Sequence, residues 1–233
     1  MYKKDQVLMM MLLCGLSTAV GASQPYVTDD AAILDKGDCQ FEIGRKVNRG
    51  SQEVWLLPAC NLTGNVELTL GKTLLTAADS TLNQYVVQAK GLFTADRDAP
   101  QAWGWVAGLS GHPRNMEDRR QLSSLYGSLL YTREIYSDRL FVHANLGART
   151  DREERSNATT WGVAAEINIT NRLTIIAETF GDDRTRPLHQ AGLRVALIPE
   201  RLELDISHGA ENGPRPGTRW WTLGLRIIQQ GLF

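Results

Sequence analysis

Along Leu202, Leu204 and Ile206 every second residue is apolar, and Arg201, Glu203, Asp205 and Ser207 interleave with them. The same alternation sets Leu173, Ile175 and Ala177 against Arg172, Thr174 and Glu178, and Trp221, Leu223, Leu225 and Ile227 against Thr222, Gly224 and Arg226. A period of two sustained in this way predicts strands with one dry face and one polar face. A turn followed by Arg-Leu punctuates these runs at Ser137-Asp138-Arg139-Leu140, Thr170-Asn171-Arg172-Leu173 and Pro199-Glu200-Arg201-Leu202, with a looser copy at Thr63-Gly64-Asn65-Val66. The three arginines stand 33 and 29 residues apart. That is room for two strands of about ten residues, one tight turn and one longer loop, so the hairpins follow one another along the chain.

Extended over the whole chain, the pattern predicts twelve strands. They run near 39–47, 53–61, 65–74, 84–93, 102–110, 123–134, 139–149, 158–169, 172–181, 188–198, 201–209 and 218–229. Tight turns precede Asn65, Arg139, Arg172 and Arg201, whereas the connections at 75–83, 111–122, 150–157, 182–187 and 210–217 read as longer and polar. The link at 95–101 is long for its end. A soluble sandwich would turn the dry faces inward, and a transmembrane barrel would turn them toward lipid. Short turns at one end with long loops at the other point to the barrel. The expected fold is therefore all-β: one antiparallel transmembrane β-barrel of about twelve strands, both termini on the short-turn, periplasmic side. Trp103, Tyr131, Tyr136, Trp161, Trp220 and Trp221 stand near strand ends, where aromatic girdles form.

The N-terminus sets the compartment. Lys3 and Lys4 precede an apolar run at 7–16, and Val20-Gly21-Ala22 offers small residues for cleavage, which is the layout of an export signal. The run is short for a membrane span. Bulky Leu12 and Leu13 before Cys14 argue against lipidation there. The expected organisation is a signal peptide over 1–22, a periplasmic N-terminal segment over 23–38 that is a candidate plug, and the barrel over 39–233. The cell is then Gram-negative and the destination its outer membrane. Removing Lys3, Lys4 and Asp5 leaves 23 basic and 25 acidic residues, a balance that suggests no nucleic-acid partner.

Cys39 and Cys60 are the only cysteines beyond the signal peptide. If the first hairpin turns through Asn48-Arg49-Gly50-Ser51, Val47 faces Gln52 and Cys39 faces Cys60. Opposed Cβ atoms lie within about 4.5–5.5 Å, close enough to bridge in an oxidising compartment. The four histidines, His112, His143, His189 and His208, lack metal-ligand spacing, and no phosphate-cradling glycine loop is present; no cofactor is expected.

The polar faces would put Glu42, Lys46, Glu67, Lys90, His143, Glu166, Glu178, Arg194, Glu203, Asp205 and Arg226 in the lumen. Two readings stand open. The charges pair into a network that fills a closed, structural barrel, or they line a solute path whose selectivity they set. The segment 24–38 carries Asp29, Asp30, Asp35 and Asp38, and either hangs in the periplasm or folds into the barrel mouth against luminal Arg or Lys. A third reading is a membrane-embedded lipid hydrolase built on Ser207, His208 and Glu211. Neighbouring strand residues point to opposite faces, so Ser207 and His208 would be separated, and no enzyme is expected.

Tyr26-Val27-Thr28-Asp29-Asp30-Ala31-Ala32, followed by Lys36-Gly37 and Cys39-Gln40-Phe41-Glu42, resembles a family of outer-membrane barrels labelled as transporters of the phenol-degradation meta pathway. The turn-Arg-Leu hairpins and the ending Gln190-Ala191-Gly192-Leu193-Arg194, Arg201-Leu202-Glu203-Leu204-Asp205 and Thr222-Leu223-Gly224-Leu225-Arg226 carry the same likeness, over about 26–228. The resemblance implies a porin-like channel or transporter for small, apolar or aromatic solutes. The chain's last residue, Phe233, follows an amphipathic strand and resembles the signal read by the barrel-assembly machinery, although Gln229 and Gly231 depart from it. Expected partners are therefore that machinery, outer-membrane lipid, lipopolysaccharide and small solutes.

Overall fold

Twelve strands form and close on themselves. The computed structural model describes residues 26–77, 80–94, 99–112, 122–152, 155–213 and 218–233; the expected signal peptide over 1–22 lies outside them. The strands are β1 (Cys39–Asn48), β2 (Ser51–Cys60), β3 (Val66–Ala77), β4 (Ser80–Leu92), β5 (Gln101–Gly111) and β6 (Leu122–Tyr136). They continue as β7 (Leu140–Asp151), β8 (Ser156–Thr170), β9 (Leu173–Asp182), β10 (Leu188–Ile198), β11 (Leu202–Glu211) and β12 (Arg219–Gln229). Each pairs antiparallel with its sequence neighbours, and β12 pairs back onto β1, so the sheet is a closed barrel.

The alternation sorts the two faces as the period of two requires. Outward positions carry Ile43, Leu70, Leu146, Val163, Ile206 and Leu223, with Leu70 62% and Leu146 60% exposed. Inward positions carry Glu42, Thr69, Thr73, Gln88, Lys90, His143, Glu178 and Asp205, all buried. An apolar surface running around the whole circumference over a polar interior is the inverse of a soluble sandwich and the form of a lipid-facing barrel. The barrel also leaves no strand edge unpaired.

The repeated turn motif has one backbone job. In the turns before Arg139 and Arg201, Asp138 and Glu200 take left-handed φ values of 58° and 62°. Each turn follows a register shift, between Glu134 and Tyr136 and between Ala196 and Ile198, which is the three-residue hairpin with its adjoining bulge. The carbonyls of Arg139, Arg172 and Arg201 then accept from Asn168, Ala196 and Ile228 N–H at 2.9, 2.9 and 2.8 Å. Each motif thus ties its hairpin to the strand that begins the next connection.

Three expectations need correction. The loop expected at 75–83 is only two residues long, because Ala77 pairs with Ser80. The one expected at 150–157 shortens to four, because Asp151 pairs with Ser156. Apolar alternation fades where both faces meet water, but ladder hydrogen bonds need no apolar side chain and carry the strands onward. Trp220 does not join an outer girdle: it points inward, 3% exposed, while Trp221 points out. β12 ends at Gln229, the boundary expected from the sequence. Beyond it Leu232 N–H donates to Gly37 O at 2.8 Å and Gly231 N–H to the Asp38 carboxylate at 2.8 Å, leaving Phe233 78% exposed and outside the strand.

Cys39 stands opposite Cys60 in the β1–β2 ladder, and their sulfurs are bonded at 2.07 Å across a sequence separation of 21. A loop of that length removes about 3 kcal/mol of chain entropy from the unfolded state. The double variant Cys39→Ser with Cys60→Ser is expected to lower unfolding stability by up to about 3 kcal/mol. Urea titration of the refolded barrel in lipid vesicles, with and without reductant, checks this; reductant should shift the parent and leave the double variant unmoved.

Candidate functional site: the barrel interior and its N-terminal strap

Residues 26–38 do not hang free of the barrel. They run inside it as an irregular strap, with Tyr26, Thr28, Asp29 and Ala31 buried. Backbone that is neither helix nor strand must find other partners for its N–H groups when buried. The inward side chains supply them. Glu178 on β9 accepts from Val27 N–H at 3.0 and 3.1 Å and from Thr28 N–H at 2.7 Å. Thr132 on β6 accepts from Ala31 N–H at 2.8 Å, and Glu67 on β3 accepts from Leu34 N–H at 3.0 Å. With its amide oriented to match, Asn145 on β7 accepts from Asp29 N–H at 2.6 Å and donates to Asp29 O at 2.9 Å.

Charge adds to this seating. Lys90 Nζ on β4 reaches Asp29 at 2.7 Å and Asp30 at 2.8 Å. Both Lys90 and Asp29 side chains are nearly fully buried, at 9% and 4% exposed. The ring of Tyr26 lies 5.8 Å from the Arg194 guanidinium on β10. Thr28 fits because β8 has Gly162 beneath it: a Cβ there would stand 2.6 Å from Thr28 Oγ1. Read along the strap, the contacts pass from β3 and β4 through β6, β7, β8 and β9 to β10. It therefore crosses from one wall to the far one.

Its base is clamped just outside the first strand. Asn61, fully buried, donates through Nδ2 to Leu34 O at 2.6 Å and accepts through Oδ1 from Gly64 N–H at 2.7 Å. Gly37 N–H donates to Asn61 O at 2.7 Å, and Asn61 N–H to Asp38 O at 3.0 Å. The sequon Asn61-Leu62-Thr63 is thus a turn holding the strap.

The eleven residues expected in the lumen all sit on inward positions, and they divide into groups. Arg194 bonds Asp205 at 2.9 Å and lies 3.6 Å from both Glu203 and Glu166. Arg226 pairs with Glu203, and His143 Nε2 stands 3.9 Å from Glu166. These six form one continuous network on β7, β8 and β10–β12. Lys90, Glu67 and Glu178 serve the strap instead. Lys46 Nζ lies 4.7 Å over the Trp220 ring, and Trp220 Nε1 donates to Gln190 at 2.6 Å. Glu42 faces Arg226 across the β1–β12 ladder, with one carboxylate oxygen lacking a hydrogen-bond partner. Ser207 and His208 are separated: Ser207 is inward and 1% exposed, and His208 is outward, its ring 4.7 Å from that of Trp221. That parting removes the hydrogen bond a nucleophile and base need.

Sequence reasoning missed Tyr26, Asn61, Thr132 and Asn145. Asn145 and Thr132 carried a signal, being polar residues on inward-facing positions. Tyr26 and Asn61 lie outside the strands, where no periodicity speaks.

A family model described as "Uncharacterised conserved protein UCP029691" matches residues 9–228. No curated protein matches the sequence. Among solved structures, the fold is similar to a KdgM porin, with TM-score 0.64 at 13% identity over 81% of this chain and 98% of that one. It is also similar to a NanC porin, with TM-score 0.60 at 9% identity over 81% and 98%. A COG4313 outer membrane channel from Pseudomonas putida F1 gives TM-score 0.56 at 11% identity over 86% and 97%. At these identities the likeness establishes the porin-type barrel fold.

Asp29→Asn leaves Lys90 with one partner, at 42% side-chain exposure, in place of two. Breaking a buried pair costs about 3–5 kcal/mol, and release of the strap caps that loss below barrel unfolding. The expected outcome is a strap that protease reaches while the barrel stays folded on a heat-modifiability gel. Cleavage rates of Asp29→Asn and of the parent in detergent check it.

Proposed function

The chain belongs to the family of uncharacterised conserved proteins UCP029691, and we propose that it serves in the outer membrane as a channel-like barrel held closed by its own N-terminal strap. The observation that carries this reading is the strap's course from the β3 wall to the β10 wall, with Asp29 and Asp30 on Lys90. A structural filler needs only packing, whereas this one is held largely by hydrogen bonds and ion pairs to side chains, which water can replace. The export signal read over 1–22 supports the compartment. The shared end of both termini, and the longest connection, 112–121, at the other end, support a periplasmic placement of the termini.

The interior limits the solute. Every Asp and Glu of the described strands stands at an inward position, from Glu42 and Glu53 to Asp205 and Glu211, against the inward cations Lys46, Lys90, Arg149, Arg194 and Arg226. A KdgM porin has been solved in complex with disordered oligogalacturonate. The acid excess here makes such a polyanion a poor fit. It favours small neutral or cationic solutes, a range that includes the neutral aromatic molecules implied by the family resemblance.

A second reading has its own observation. The Arg194, Arg226, Glu166, Glu203 and Asp205 network occupies the wall beyond the strap, so the barrel could remain closed without it and act structurally. Single-channel recording of the refolded mature protein in planar bilayers separates the two. The parent is expected to be silent or to open rarely, and removal of residues 24–38 to give steady steps with a cation-selective reversal potential. Silence in both would leave the closed structural barrel.

A further inference from the structure

All acids of the described strands stand at inward positions, but four cations stand at outward ones: Arg45, Lys72, Arg133 and Arg219. A cation on the lipid face is costly near the midplane and tolerated only where an anionic or aqueous partner is in reach. Arg219 opens β12 and Arg133 lies near the strap end of β6, both at strand margins. Lys72 lies mid-strand in β3, and Arg45 stands as near the end of β1 as Arg133 does to that of β6, but at the opposite end of the barrel. Arg45 lies between Ile43 and Val47, 47% and 42% exposed, and Lys72 follows Leu70, 62% exposed. Both belong to the half of the barrel away from the termini, and their protein partners are neutral. Arg45 Nη2 donates to Gln52 Oε1 at 2.6 Å, and Lys72 Nζ stands 5.7 Å from the centre of the Tyr85 ring.

We propose that Arg45 and Lys72, with Gln52 and Tyr85, form a docking site on the outer wall for the phosphorylated head group of lipopolysaccharide. Arg45 pairs with Val54 and Val54 with Leu74, two positions beyond Lys72. Strand spacing of ~4.8 Å and rise of ~3.3 Å then set the two Cα atoms about 12 Å apart. Two cations at that separation suit a head group with a phosphate at each end of a sugar pair better than one with a single phosphate. Polar outward neighbours on the same strands, Gln52, Thr76, Thr81 and Asn83, face where sugar hydroxyls would lie. The rim above is low. The β1–β2 hairpin turns in two residues, Arg49 and Gly50, and β3 joins β4 through two. A bulky head group therefore meets no long loop on its way to Arg45 and Lys72.

This site rests on the orientation proposed above, with the termini periplasmic and this half of the wall in the outer leaflet. It does not rest on the strap or on conductance. The test is lipid retention by the full mature chain, refolded and titrated in detergent with purified lipopolysaccharide, its dephosphorylated form, or phosphatidylglycerol, and read by native mass spectrometry. Each cation near an anionic lipid surface contributes about a fivefold factor in affinity. Arg45→Gln with Lys72→Gln is thus expected to weaken lipopolysaccharide binding by about twenty- to thirtyfold, with an unchanged heat-modifiability shift confirming the fold. Dephosphorylation should weaken the parent similarly, and Arg133→Gln should leave it unchanged. Unaltered binding in the double variant, or loss in Arg133→Gln instead, overturns the proposal, the latter by placing the lipid at the opposite end. Equal, cation-dependent binding of phosphatidylglycerol would assign the site to a glycerophospholipid and overturn it as well.

Discussion

The cost of placing charge against lipid governs this molecule. In the described strands, carboxylates stand at inward positions, and the outward wall is largely apolar, with neutral polar residues and four cations. That sorting concentrates acids in a narrow interior, where each must find a cation, a backbone donor or water. The strap answers part of that demand. Glu67 and Glu178, which would otherwise crowd other acids, become acceptors for its N–H groups. Lys90 is neutralised by acids that the strap itself brings in. Interior and strap thus each satisfy groups the other leaves open.

The network on the other wall works differently. Arg194 is shared among three carboxylates and Arg226 holds one of the same three. Of residues 26–38, Tyr26 reaches this network through its ring beside Arg194. The interior therefore combines ion pairs made among barrel side chains with contacts completed by a segment that enters from the terminal end. The contacts to that segment can be exchanged without breaking strand pairing.

The strands were legible because alternation is enforced twice, by lipid outside and by polar groups inside. Even the inward placement of residues as scattered as Glu42, His143 and Arg226 follows from counting by twos. Strand ends were less legible: Thr76, Ser80 and Ser156 carry no apolar alternation, yet the ladder continues through them. Trp220 and Trp221 show the opposite failure, since an aromatic pair suggests a girdle although adjacent residues cannot share a face. The strap was legible as an acidic segment that either hangs free or folds into the barrel mouth, but not in its contacts. Its contacts are aperiodic, made by single side chains of seven strands, and no local pattern in 26–38 names Glu178 or Asn145 as partners.

The bond between Cys39 and Cys60 bears on the order of assembly. β1 is the strand that must meet β12 to complete the ring, so it waits longest for its second neighbour. A slip of one residue there would turn Glu42 and Lys46 out and Phe41 and Ile43 in. Oxidation in the periplasm can fix the β1–β2 alignment while the rest of the chain is still unfolded. The last strand then arrives at an edge whose alignment with β2 is already set.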